Sequence, residues 1–195
     1  MNSLADRALL ACVAALFVFV AGCSEKPAAA VAASGPTQFA DVAAAFDAMG
    51  DYTVEEGTLA VEGGEPLRVR VSPTVVAGDA PEVVRSEVRR AAVHAALRVF
   101  VHTDADAVQV VAVPALLDPA SHTRTLQAGP LARLSLTRAQ VQAAVQRELG
   151  VPDLAGLVGG LTPDSWSDAA RRGMYADAGA PGVEAFAAAL GLAWD

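Results

Sequence analysis

Several residue types are scarce in this chain of 195 residues. Isoleucine is absent, asparagine occurs once, and one lysine stands against thirteen arginines. Alanine, by contrast, accounts for 44 residues, a bias typical of a GC-rich genome, so the alanine content says little about function. Only 18% of the residues are charged and 53% are hydrophobic, which excludes a chain that is disordered throughout.

Basic charge is also scarce, and this limits the possible partners. The formal net charge is −8 and the isoelectric point is about 4.8. Proteins that bind nucleic acid need clustered Lys and Arg to displace counterions, and such domains usually have isoelectric points above about 9. We therefore expect no nucleic-acid partner.

The chain begins with a short segment that is typical of a signal peptide. Arg7 precedes an apolar run from Ala8 to Ala21, which is too short for a bilayer-spanning helix of about 20 residues. The following Val20-Ala21-Gly22-Cys23 resembles the lipobox of bacterial lipoproteins. The resemblance implies cleavage between Gly22 and Cys23, and transfer of diacylglycerol to the Cys23 thiol. Residues 1–22 are then a signal peptide, and acyl chains such as palmitate anchor the mature protein in the membrane.

The residues after Cys23 predict a tether and a location. Residues 23–36 lack apolar periodicity, so we expect a flexible, lipidated linker. Ser24 follows Cys23, and by resemblance to lipoprotein sorting this favours the outer membrane, with the domain facing the periplasm. Because Cys12 is removed and Cys23 is lipidated, no thiol remains for catalysis, zinc binding or a disulfide.

Residues 37–195 predict a single α+β domain. Its sheet is expected to be antiparallel or mixed, with about four strands, a central helix and several small C-terminal helices. The boundaries follow from caps, turns and alternation of apolar residues. They predict a helix over 38–49 capped by Thr37, a hairpin over 59–71, a helix from 79–82 to 101 capped by Asp79, strands over 107–113 and 131–136, a loop over 114–130, a helix over 137–149 with a capping box, and short helices at about 152–158, 162–176 and 181–190.

The helix that ends near Val101 is apolar on two sides in its second half. Val93, Leu97 and Phe100 form one side, and Ala95 and Val99 form the opposite one. A helix of this kind is covered on both sides. We therefore expect it to lie centrally, between the sheet and the C-terminal helices.

Polar residues of the same helix give the first candidate site. Glu87, Arg90, His94 and Arg98 follow one stripe at spacings of three and four. This stripe is either an anion-binding or acid–base surface inside a groove, or a salt-bridged strip in water.

The segment His102-Thr103-Asp104-Ala105-Asp106 gives a second candidate. Alternating His and Asp suit metal ligands or a base with its orienting carboxylate, but they also suit a helix end followed by a turn. We take His94, Arg98, His102 and Asp104 as the tentative ligand site, with no metal and no cofactor expected.

Two further features carry weaker alternatives. Ser121 and His122 lie in the predicted 114–130 loop, but no Gly-x-Ser-x-Gly elbow supports a hydrolase. Four aromatic residues near the C-terminus are expected to anchor the small helices, or alternatively to form a ligand-stacking surface: Trp166, Tyr175, Phe186 and Trp194.

The sequence contains no strong catalytic motif, and a phosphate loop, a dinucleotide fingerprint and a His-Glu-x-x-His motif are all missing. We therefore expect a non-catalytic lipoprotein that binds an envelope protein or a small ligand. The alternative is an enzyme or small-ligand binder that uses His94, His102 and the 114–130 loop. A purely structural envelope component is a third possibility and predicts an exposed apolar patch.

Overall fold

The computed structural model describes residues 35–129, 131–162, 164–175 and 182–194, and for 193 and 194 the backbone alone. Residues 34–195 form one compact unit. The predicted signal peptide, Cys23 and most of the tether lie outside the described residues. No helix among the described residues combines the length and apolar character that a membrane-spanning segment needs.

The described residues form an α+β fold, as the sequence predicts. The helices are α1 (Val42–Met49), α2 (Pro81–His102), α3 (Arg138–Leu149), α4 (Asp168–Met174) and α5 (Gly182–Ala189), with a 3₁₀ turn at Leu154–Leu157. The strands are β1 (Leu59–Glu62), β2 (Leu67–Val71), β3 (Thr74–Val76), β4 (Ala107–Ala112), β5 (Ala115–Leu117), β6 (Arg124–Leu126), β7 (Ala132–Thr137) and β8 (Ala193–Trp194).

The larger sheet is mixed and has the order β1-β2-β4-β7-β8. The predicted hairpin is confirmed, with Leu59 opposite Val71 in antiparallel β1 and β2. Strand β4 lies between β2, to which it is parallel, and β7, to which it is antiparallel. Val110 of β4 is opposite Leu134 of β7, and both are buried because alternate residues of each strand face the helices.

Helix α2 is the central element, as predicted. It contacts β2, β4 and β7 as well as α1, α4 and α5. Its middle is rich in buried alanine, at Ala91, Ala92, Ala95 and Ala96. These small side chains let neighbouring elements approach the helix closely, and the long apolar residues of α2 fill the space between them.

One predicted helix start and two predicted N-caps are wrong. Helix α1 begins at Val42, not at residue 38, because the Asp41 carboxylate caps it by accepting the Ala44 N–H at 2.8 Å. Helix α2 has Ala80 as its N-cap, with no side-chain hydrogen bond. Asp79 turns back and accepts the Val76 N–H at 2.9 Å.

The predicted loop over 114–130 is also wrong. It contains β5 and β6, which form a second sheet with β3 in the order β3-β5-β6. Strand β5 is parallel to β3 and antiparallel to β6. Each of these strands has three residues, which is too short for alternation to be visible in the sequence.

In the C-terminal part, α3 and α5 start within about one residue of the predicted positions, whereas α4 starts at Asp168, later than the predicted residue 162. The capping box of α3 is confirmed, since Thr137 Oγ1 accepts the Gln140 N–H and Gln140 Oε1 accepts the Thr137 N–H. Helix α4 is shorter than predicted because a turn occupies 162–165 and Ser167 caps the helix. Helix α5 begins at Gly182, and Pro181 lies outside the described residues.

Candidate functional site

A cleft of about 460 Å³ lies beside the first half of α2. The other walls are formed by the segment after α1, by the residues from Ser72 to Thr74 after β2, by one side chain of β6, and by the residues on either side of α4. Its chemically active lining consists of three acids, two arginines, one histidine and three aromatic residues: Asp51, Glu56, Glu87, Arg90, Arg124, His94, Tyr52, Trp166 and Tyr175.

The polar stripe of α2 supplies the wall of this cleft. Glu87, Arg90 and His94 line it, whereas Arg98, one turn further along, is only 5% exposed and lies behind it. Arg90 donates to Glu87 at 2.6 Å and to the Met174 carbonyl at 3.2 Å. The stripe therefore lies in a groove, and it is not a strip of solvated ion pairs on an open surface.

Arg98 is the centre of a buried polar cluster. Its Nε donates to Asp51 Oδ2 at 2.7 Å, and its Nη1 donates to the Asp164 carbonyl at 2.9 Å. The guanidinium also lies over the Trp166 ring, 4.0 Å from the centroid. Arg98 therefore links two segments that are far apart in sequence, and it holds the Asp51 carboxylate at the edge of the cleft.

The hydrogen bonds of His102 define its tautomer. Nδ1 is 2.9 Å from the Thr37 carbonyl, and Nε2 is 3.1 Å from Arg98 Nη1. A carbonyl only accepts and a guanidinium only donates, so Nδ1 carries the proton and Nε2 accepts. His102 is fully buried and neutral in this arrangement, and burial lowers its pKa.

Residues at the start of the domain are fixed to the same cluster. The Asp164 carboxylate accepts the Thr37 N–H at 2.8 Å and the Thr37 hydroxyl at 2.7 Å. Burial tends to raise the pKa of Asp164. The two hydrogen bonds from Thr37, together with the nearby His102 and Arg98, outweigh this effect, so the pKa of Asp164 is lowered overall. The Phe39 N–H donates to the His102 carbonyl at 2.8 Å. The first residues of the domain, which directly follow the predicted tether, are thus held against the end of α2.

His94 lies between aromatic rings at the wall of the cleft. Its Nε2 is 3.6 Å from Asp51 Oδ2, and its ring meets Trp166 edge-on, with centroids 5.1 Å apart. Burial lowers the pKa of His94 to about 4, more than the nearby Asp51 raises it, so the imidazole is neutral at pH 7. Burial, Asp51 and Glu87 raise the pKa of Tyr52.

Three of the four residues of the tentative ligand site come together. His94, Arg98 and His102 share one face of α2 at a spacing of four and connect through Asp51 and the guanidinium. Asp104 does not join them. It is exposed beyond the end of α2 and lines a separate groove, because the chain is extended at Thr103 and turns away from the cluster.

Of the weaker candidates, the Ser121–His122 segment does not line the cleft, whereas two of the aromatic residues do. Ser121 Oγ bonds to Asp118 at 2.7 Å and to Thr123 at 2.8 Å, and His122 is exposed. Among the aromatic residues, Phe186 is buried as an anchor, while Trp166 and Tyr175 line the cleft. The side chain of Trp194 lies outside the described residues.

Sequence reasoning missed Thr37, Asp51 and Asp164 as parts of this cluster. Asp51 follows the glycine that ends α1, and Asp164 lies in a turn, so both have the ordinary signature of loop residues. The sequence predicts Thr37 as a helix cap. No local pattern points to their contacts, which join residues more than 40 positions apart.

The described residues contain no group of three or more His, Cys, Asp or Glu side chains placed to hold a metal ion. Comparisons with protein-family models, with curated proteins and with solved structures find no match for this chain.

Gly160 packs closely against the backbone of the segment that carries Asp164 and Trp166. A Cβ at this position would lie 2.5 Å from the Trp166 carbonyl oxygen, so the backbone must shift. We expect Gly160→Ala to lower the free energy of unfolding by about 1–3 kcal/mol in urea denaturation. Gly63→Ala is the control, since a Cβ there meets open space, and equal losses in both variants would contradict the prediction.

Proposed function

We propose that this chain is a lipid-anchored protein of the bacterial cell envelope whose folded domain binds a small polar ligand in the cleft beside α2. The observation that carries the binding role is the cleft itself, where ion-paired side chains and aromatic rings converge on one concave surface. The lipobox residues Val20 to Cys23 support the envelope location. Ser24, which follows Cys23, favours the outer membrane and a domain that faces the periplasm.

The arrangement favours binding over the alternative of an enzyme that uses His94, His102 and residues 114–130. His94 is a weak base at neutral pH because burial lowers its pKa to about 4. Both nitrogens of His102 are engaged by Thr37 and Arg98. Arg124 is the residue of the 114–130 segment that lines the cleft among the described residues. It forms an ion pair with Glu56 at 3.2 Å.

The anchor is tested by metabolic labelling with a palmitate analogue in a bacterial host. We expect the wild type and Cys12→Ser to be labelled, because Cys12 belongs to the predicted signal peptide. Cys23→Ser is expected to lose the label. Equal labelling of Cys23→Ser and wild type would overturn the lipid anchor.

The binding role is tested by the melting temperature and by calorimetry, with compounds of four classes: neutral saccharides, amino-acid zwitterions, dicarboxylates and polyamines. Thr74→Trp places a bulky ring in the cleft, and Thr125→Trp adds the same ring on β6, outside the residues that line the cleft. We expect at least one class to bind the wild type and Thr125→Trp but not Thr74→Trp. Binding by none of the classes, or equal binding by Thr74→Trp, would overturn the proposal.

A further inference from the structure

We propose that the ligand of the cleft is a neutral, polyhydroxylated molecule of the saccharide class. This inference rests on the proposed binding role and identifies the chemistry that the cleft recognises. Three features of the lining carry it: the pairing of its charges, the hydrogen-bonding capacity that remains on those pairs, and the position of its aromatic rings.

Among the described residues, each of the three acidic side chains that line the cleft is paired with an arginine. Glu87 accepts from Arg90 at 2.6 Å, and Glu56 is 3.2 Å from Arg124. The third acid, Asp51, accepts from the buried Arg98 at 2.7 Å. The formal charges therefore cancel within the lining and the residue behind it.

Cancelled charges select against a charged ligand. An anion or a cation gains little from a neutral lining unless it displaces one partner of a pair, and displacement leaves the other partner uncompensated in a partly buried site. The Asp51 pair is the least open to displacement, since Arg98 is 5% exposed and is held by two further hydrogen bonds. A neutral ligand leaves all three pairs intact.

The paired side chains can still form hydrogen bonds with the hydroxyl groups of a ligand. A carboxylate offers about four lone-pair positions and a guanidinium five N–H donors, so one mutual hydrogen bond uses a small part of either. Across the Glu87–Arg90 pair, one hydroxyl of a ligand can donate to the carboxylate while its neighbour accepts from the guanidinium. Adjacent hydroxyls on a sugar ring have this complementarity, and such charge-assisted bonds are stronger than neutral ones.

The aromatic residues supply the apolar part of the surface. Tyr175 is 46% exposed at the cleft, and Arg90 lies over its ring, 4.7 Å from the centroid. Tyr52 and Trp166 also line the cleft, and each ring meets the His94 ring edge-on. The C–H groups of a sugar carry partial positive charge and pack against the electron-rich faces of such rings. The cleft thus offers a partner for both surfaces of a sugar ring: the paired charges for its hydroxyl edge and, on the exposed part of Tyr175 that Arg90 leaves uncovered, an aromatic ring for its C–H face.

The inference is tested by calorimetric titration with N-acetylglucosamine, maltose and diacetylchitobiose, and with succinate, spermidine and alanine as charged or zwitterionic probes. Glu87→Gln leaves Arg90 unpaired in the cleft, and Glu148→Gln makes the same change to the exposed Arg147–Glu148 pair outside it. We expect saccharide binding to the wild type to be unchanged between 50 and 500 mM NaCl, because a neutral ligand is not screened. Glu87→Gln should weaken it by about tenfold or more and strengthen succinate binding, while Glu148→Gln should match the wild type.

The outcomes separate the two proposals. Binding of succinate, spermidine or alanine that Thr74→Trp blocks, without saccharide binding, would overturn the saccharide inference and leave the binding cleft in place. Saccharide binding that Glu87→Gln leaves unchanged would also overturn it, since the pair would then play no part. Absence of binding by all six probes would overturn both.

Discussion

Replacement of Arg98 by methionine is expected to lower the free energy of unfolding by about 3–5 kcal/mol, the range for removal of one partner of a buried ion pair. Methionine fills similar space but donates no hydrogen bond. The variant leaves Asp51 without its closest positive partner, and it leaves the Asp164 carbonyl and His102 Nε2 without the guanidinium N–H. Stacking of the guanidinium on Trp166 is lost as well.

Urea denaturation followed by circular dichroism measures this loss, with Arg147→Met as the matched control. Arg147 forms an exposed pair with Glu148, and its removal should cost less than about 1 kcal/mol. Arg98→Lys should fall between the two, because it keeps the charge but loses the fork that reaches several acceptors. A loss in Arg98→Met no larger than in Arg147→Met would contradict the buried cluster.

Acidification is expected to remove about 3 kcal/mol of stability between pH 7 and pH 4 through His94 alone. Its pKa is lowered from 6.5 to about 4 in the folded domain, chiefly by burial. The unfolded chain therefore binds more protons across this window, so stability falls as the pH drops through 6.5 and stops falling near 4. Asp51 and Arg98 are the charged groups that act on the imidazole, and they oppose each other.

The comparison of wild type with His94→Gln isolates this contribution, since glutamine does not titrate. Unfolding in urea at several pH values should give a shallower dependence for His94→Gln, by about 3 kcal/mol over the window. His122→Gln is the control, because that side chain is exposed, and it should keep the wild-type dependence. A His94→Gln curve parallel to the wild type would contradict a buried, neutral His94.

Elements with strong local signals could be predicted from the sequence. The Gly63-Gly64 turn indicates the hairpin, Pro81 with two apolar sides indicates α2, and Thr137 with Gln140 indicates the start of α3. These features depend on contacts within a few residues. The short strands β5 and β6 depend on pairing with β3 instead, and three residues carry too little pattern to reveal it.

The candidate site was predictable only where one helix supplies it. His94 and Arg98 are four residues apart, so helical periodicity places them on one face. His102 is predicted in the segment after this helix, and it joins the same face because α2 extends to His102. Asp51 and Asp164 reach the same cluster from positions 47 and 66 residues away from Arg98, which no local rule anticipates. For Thr37, tertiary hydrogen bonds prevail over the local helix-capping signal. Asp41 caps α1, and Thr37 is hydrogen-bonded to Asp164 and His102 instead.

The most direct test of a lipid-anchored binding protein is a native mass spectrum of the protein extracted from bacterial membranes in mild detergent, with the same saccharide mixture added to wild type and Thr74→Trp. We expect a chain that starts at Cys23 and carries diacylglycerol, with a non-covalent saccharide adduct in the wild type that Thr74→Trp lacks. A full-length chain without lipid, or an equal adduct in both proteins, would contradict it.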